Sequence, residues 1–238
     1  MVGCGTVRVV LRGDSENRLV RTFRPRRRKL GPELAKTYER LISQWSLEEH
    51  GEPLDLIATF DNANPVHLEI GCGRGDLAVS FCPNHPESNL IAIDIHTRGI
   101  ANILGAIEKF ELTNTRVVEG DVLVFMKRLP AQSIEEIWLF FPDPWPKPRE
   151  QRRRLFRPDV LVELARVLKI GGRLRLATDI EDYWRKSLSI VADNGSFSAA
   201  RFIRPNWRIE TVFETRGIKE GRSPVDICWN RGDIPRGD

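Results

Sequence analysis

The sequence predicts a doubly wound α/β fold with a mostly parallel sheet, and three observations carry that expectation. Short apolar runs alternate with amphipathic helical patterns from residue 66 to residue 193. The runs at 66–70, 90–94 and 136–141 are rich in apolar residues, as strands are when helices cover both faces of their sheet. The first of them, VHLEI, leads straight into a glycine-rich turn, GCGRGD. Alternation of this kind implies right-handed βαβ crossovers, with ligands bound at the carboxyl ends of the strands.

The elements follow in order. Residues 1–30 are expected to be a basic, flexible tail, rich in Arg between 18 and 29. Gly31-Pro32-Glu33 then opens a helix to about Glu49, with Leu34, Tyr38, Leu41, Ile42 and Trp45 on one face. A loop rich in Pro, Asp and Asn, Glu52 to Pro65, precedes the first strand at 66–70. Further strands are expected at 90–94, 115–119, 136–141 and 172–177, and helices at 75–82, 97–112, 121–128, 157–168 and 180–193. The final stretch, RFIRP and PVDICWN around a loop with Gly217 and Gly221, reads as an antiparallel pair closing one edge. A chain of 238 residues with 41% hydrophobic content can bury one full core. Residues 31–238 therefore read as a single domain.

Composition excludes several classes. No apolar run approaches the roughly 18 residues of a membrane span, and the N-terminal VRVVLRGD is too short and charged for a signal sequence. Cys4, Cys72, Cys82 and Cys228 contain no CxxC pair and the four histidines are scattered, so neither disulfides nor a metal site is expected. A cytoplasmic protein is the consistent reading. The net charge of +4 conceals an asymmetry: residues 1–30 carry nine Arg or Lys against Asp14 and Glu16, and 147–157 carry six against Glu150, which leaves the rest at −8. Two basic patches on an acidic body suit a polyanion, because each phosphate neutralised releases a condensed counterion. A terminal run such as RPRRRK is also compatible with a solvated tail.

Gly71, Gly73 and Gly75 occupy the first strand-to-helix turn, where glycine lets backbone approach a ligand closely. The pattern GxGxG followed by Asp76 departs from the dinucleotide fingerprint, which wants Gly or Ala there. Asp94 ends the second strand, placed for ribose hydroxyls, and Asp121 ends the third, placed for an adenine edge. Glu69 lies within the first strand, positioned to orient the loop or hold the amino-acid part of a cofactor. Each acid taken alone is equally compatible with a structural role such as a helix N-cap, Asp121 above all. Their joint order points to an adenosyl cofactor and hence a methyltransferase.

The segment EIWLFFPDPWPKPREQRRRLF delivers Pro142-Asp143-Pro144-Trp145-Pro146-Lys147 from an apolar strand, with prolines fixing the backbone about one carboxylate. Together with EIGCGRG, TDIEDYW at 178–184 and TVFETRG at 211–217, it closely resembles the bacterial tRNA (guanine-N7-)-methyltransferases over about residues 21–229. The resemblance implies a Rossmann-like sheet of seven strands, mostly parallel with an antiparallel edge strand. It implies S-adenosyl-L-methionine as cofactor and tRNA as partner, with transfer of methyl to N7 of guanosine 46 in the variable loop. It also implies that Glu69, Asp94, Asp121 and Asp143 line the cofactor site, and that Lys147, Asp179, Thr211, Val212, Phe213 and Glu214 face the substrate. Arg149, Arg152, Arg153 and Arg154 match the family's RNA-contacting stretch. The family usually carries Lys where this chain has Val212, and Glu150 interrupts the basic run.

Guanine N7 carries an in-plane lone pair and no proton, so no strong base is required. Asp143 is then expected to position and to stabilise developing positive charge. Asp179 and Glu214 are expected to accept from guanine N1–H and its 2-amino group, and Lys147 with the arginines to hold phosphates. Trp145 reads as packing, with base stacking the alternative. Competing readings are a methyltransferase of another RNA, a non-catalytic tRNA-binding module and a nicotinamide oxidoreductase. The assembly expected is a monomer or homodimer.

Overall fold

The computed structural model describes residues 29–233; the basic tail to residue 28, with Cys4, and residues 234–238 lie outside the described residues. Helix α1 (Pro32–Trp45) and the short α2 (Leu56–Phe60) precede β1 (Val66–Ile70), α3 (Asp76–Phe81), β2 (Asn89–Asp94), α4 (Thr97–Phe110) and β3 (Thr115–Glu119). Then come α5 (Val122–Phe125), β4 (Ile134–Phe140), α6 (Pro158–Val167), β5 (Leu168–Thr178), α7 (Glu181–Asn194), α8 (Val212–Lys219) and β6 (Val225–Asn230). The sheet order is β3-β2-β1-β4-β5-β6. All pairs are parallel except β5–β6, which is antiparallel.

Period-2 alternation sorts the strand side chains into two cores. Ile91, Ile93, Ile137 and Leu139 pack with α5, α6 and α7 on one face, while Leu90, Ala92 and Trp138 pack with α1, α3 and α4 on the other. The central strand β1 is buried at all five positions. Helix α1 is tied to the body by Tyr38, whose hydroxyl donates to Glu119 at 2.7 Å, and by Arg40, which grips Glu108 through both terminal nitrogens.

Four expectations are corrected. The described residues form six strands, not seven. Residues 201–205 do not pair as a strand with 224–230; only Arg201 bridges Cys228, and β6 pairs with β5 instead. Phe202 and Ile203 face solvent, and Pro205 has no N–H with which to extend a ladder. The loop expected around Gly217 contains α8, started by Thr211, whose hydroxyl accepts from the Glu214 N–H at 3.3 Å. Finally, α1 stops at Trp45, because the chain turns to pair with β3 through Leu47 N–H, which donates to the Val117 carbonyl at 2.8 Å. Among the described residues no helix is long and apolar enough to cross a membrane.

Candidate active site

The carboxyl ends of β2, β1 and β4 open on a cleft that is continuous with solvent. It straddles the junction of β1 and β4, where the crossovers reverse direction. Gly71, Gly73, Asp94, Asp121, Asp143 and Phe213 all line it. Gly75 does not; it caps α3 behind the loop. An adjoining recess contains Glu69, Asp76 and Thr211 and shares Phe213 with the cleft.

The glycine turn is held from below. Gly73 adopts φ +59°, and its N–H donates to Asp94 Oδ2 at 2.7 Å, while the His96 N–H donates to Oδ1 at 2.9 Å. Asp94 is thus both wall and anchor of the loop. Burial pushes its carboxyl up, against the amides of Gly73 and His96, which hold it down. A Cβ on Gly71 would stand in open space. Glu69 is buried and its Oε2 has no hydrogen-bond partner. Burial first, then the charges of Asp94 and Asp76, push its carboxyl up to about 8. Acids on three walls and an unsatisfied buried carboxyl oxygen suit a cationic ligand.

At the adenine end expected for Asp121, the side chain accepts from Leu123 N–H at 2.9 Å and so caps α5, the alternative role that the sequence left open. Its own N–H donates to Glu49 Oε2 at 2.6 Å. Beyond β4, Phe141 takes φ +51° and donates its N–H to the Ala177 carbonyl at 2.7 Å. This left-handed residue, uncommon for an aromatic, turns the chain so that Pro142 and Asp143 face the cleft. Trp145, at φ +41°, is buried as packing.

The basic run divides. Lys147, Arg149 and Arg152 are exposed, and Arg153 lies with its guanidinium carbon 4.7 Å above the Trp145 ring. Arg154, expected to hold phosphate, is only 3% exposed and is committed within the protein. The structure likewise gives Asp179 and Glu214 partners of their own. Arg222 donates to Asp179 at 2.7 Å, and Glu214 sits between Arg204 and Arg208, the latter also held by Asp226 at 2.6 Å. Neither acid lines the cleft. Val212 and Phe213 are exposed, and the Phe213 ring would stand 3.1 Å from a Cβ on Gly73.

Sequence reasoning missed Gly99 and Glu49. A Cβ on Gly99 would collide with the Gly73 carbonyl, so this residue lets α4 approach the loop. The signal was an isolated glycine inside a helical pattern. Glu49 approaches from 72 positions away in sequence, and no local pattern marks it.

Comparison with known proteins matches residues 63–227 to a family described as "Putative methyltransferase". A tRNA (guanine-N(7)-)-methyltransferase of Nitrosomonas europaea is 40% identical over 82% of this chain and 88% of its own. The enzyme of that name from Streptomyces avermitilis is 34% identical over 92% of this chain and 78% of its own. Among solved structures, the 16S rRNA methyltransferase KamB superposes with a TM-score of 0.55 at 15% identity, covering 77% of this chain and 96% of that one. At that identity the likeness speaks for the fold alone.

Proposed function

The chain belongs to the tRNA (guanine-N(7)-)-methyltransferase family, and from that premise we propose that it methylates N7 of a guanine in tRNA, guanosine 46 of the variable loop, using S-adenosyl-L-methionine. The observation that carries the reading is the single cleft at the β1–β4 junction that gathers Gly71, Gly73, Asp94, Asp121 and Asp143. When bound there, the cofactor supplies a methyl group made electrophilic by a positively charged sulfur. The residues fit it: three aspartates line the cleft, Glu69 offers an unsatisfied oxygen in the adjoining recess, and the space beside Gly71 is open. Asp94 and Asp121 would hold the adenosine half, and Glu69 the amino-acid half.

Transfer needs no proton removed, since the N7 lone pair lies in the plane of the ring. The residues' task is therefore to align attacking and leaving atoms and to hold negative charge beside a base that becomes cationic. That role falls in this reading to Asp143, which lines the cleft. Lys147, Arg149 and Arg152 take phosphates, fixing the tRNA's register without reading sequence. The test is methyl transfer from radiolabelled S-adenosylmethionine to an unmodified tRNA transcript, followed by borohydride reduction and aniline cleavage. A single cut in the variable loop is expected, with Asp143→Ala losing most turnover while keeping tRNA binding. Labelled RNA without the cut would refute the target atom, and no label at all would refute the activity.

A further inference from the structure

We propose that Arg154 is a positioning residue that sets the loop carrying Asp143, and that the TDIEDYW motif exists in part to hold it. Arg154 lies at the end of the basic run, where a phosphate contact would be the natural assignment. Its surroundings contradict that. The side chain is 3% exposed. Its Nε donates to the Pro144 carbonyl at 2.9 Å, one peptide beyond Asp143, and its Nη2 meets Asp182 Oδ2 on α7 at 2.7 Å. The guanidinium plane lies over the Tyr183 ring with its carbon 4.9 Å from the centroid. The remaining Nη1 is buried too, and so closed to a phosphate.

These contacts join three elements, two of which line the cleft. Pro144 belongs to the loop after β4, Asp182 and Tyr183 to the first turn of α7, and Leu155, next to Arg154, is itself a cleft wall with Asp143. A second strut reinforces the clamp: Gln151 donates to the same Asp182 oxygen at 3.2 Å and accepts from Lys186 at 3.0 Å. The loop needs such a clamp because Phe141 and Trp145, on either side of Asp143, both hold positive φ, a conformation that persists only where surroundings enforce it. A guanidinium suits the task because its fixed planar fork reaches a carbonyl and a carboxylate along two directions at once, which an ammonium on a flexible stem does not.

The inference rests on the proposed tRNA methylation, and the experiment separates the two. Steady-state methylation over a range of salt concentrations is measured for wild type, Arg154→Ala, Arg154→Lys, Asp182→Ala and Arg152→Ala. Absence of wild-type methylation would overturn the proposed activity and leave the clamp to be judged by whether melting shows Arg154 and Asp182 to be coupled in a double-mutant cycle. Given activity, Arg154→Ala and Asp182→Ala are expected to lower kcat by roughly a hundredfold, the cost of a misplacement of about 1 Å. KM for tRNA and its salt dependence should stay as in wild type, and Arg154→Lys should not rescue kcat. Arg152→Ala should instead weaken binding and reduce the salt slope by about one. Asp182 is 61% exposed, so its alanine variant tests the clamp even where Arg154→Ala fails to fold. Were Arg154 a phosphate contact, deleting that competing carboxylate would tighten tRNA binding and steepen its salt dependence. That result, or full kcat in Asp182→Ala, would overturn the proposal.

Discussion

Replacing Gly99 with alanine tests whether the close approach of α4 to the glycine loop shapes the cofactor cleft. On an open helix the change would stabilise by up to about 1 kcal/mol, because glycine is the poorer helix former. Here the new Cβ would lie 2.9 Å from the Gly73 carbonyl carbon, nearer still to its oxygen, and 3.4 Å from that of Arg74. Carbon atoms rest at roughly 3.5–4.0 Å, so helix and loop must part by at least about 0.6 Å. Both obstacles are backbone and cannot swing aside. Overpacking of this kind costs about 1–3 kcal/mol, and the strain has two outlets. If the helix retreats, stability falls, at roughly 2–4 °C of melting temperature per kcal/mol for a chain of this length. If the loop retreats, the 2.7 Å bond from Gly73 N–H to Asp94 is stretched, and cofactor affinity drops about tenfold for each 1.4 kcal/mol. Thermal melting of the free protein and calorimetric titration with S-adenosylmethionine read both outlets. A variant that melts no lower than wild type and binds cofactor equally well would refute the steric reasoning.

Three other perturbations test the site and its support. Glu69 keeps its proton to about pH 8 through burial and the charges of Asp94 and Asp76, whereas its ordinary value is 4.5. The native state therefore binds the extra proton between those values, so stability of the free protein should fall as pH rises from 4.5 toward 8, and Glu69→Gln should remove that part of the slope in melting experiments. A cationic ligand favours the carboxylate, so cofactor binding should release a proton below pH 8; calorimetry in buffers of different ionisation enthalpy would show it, and the Gln variant should not. Phe213→Ala is expected to weaken cofactor retention with little change in melting, because the ring is half exposed yet lines both recesses; equal affinity would remove it from the site. Glu136→Ala should destabilise by about 3–5 kcal/mol in urea unfolding, since it strands buried Arg175 without its counter-charge. Burial pushes the Glu136 carboxyl up, but hydrogen bonding and charge from Arg175, with Arg173 and the Trp138 indole, hold it down at about 2. Its contribution is therefore present above 4.5 and should be lost as pH falls through about 2.

The features legible in the amino-acid order alone were those written in local periodicity. The runs at 66–70 and 115–119 became β1 and β3 with the same bounds, because their apolar residues, Val66, Leu68 and Ile70 in the one and Val117 and Val118 in the other, are buried between sheet and helices. Gly71, Gly73, Asp94, Asp121 and Asp143 could be gathered in advance, since a parallel sheet brings every strand's carboxyl end to one edge. Tertiary structure decided whatever depended on a partner distant in the chain. Helix α8 hides Glu214 and Gly217 and exposes Val212, Phe213 and Ile218, the reverse of an amphipathic pattern, because ion pairs from Arg204 and Arg208 dock it. The Thr211-x-x-Glu214 cap was its one local mark. Arg154 reads like its neighbours in a row of arginines, yet Pro144 and Asp182 withdraw it from solvent while Arg152 stays exposed. A charge pattern records how many cations a segment holds; only the packing around each one determines whether it faces a phosphate or a carbonyl.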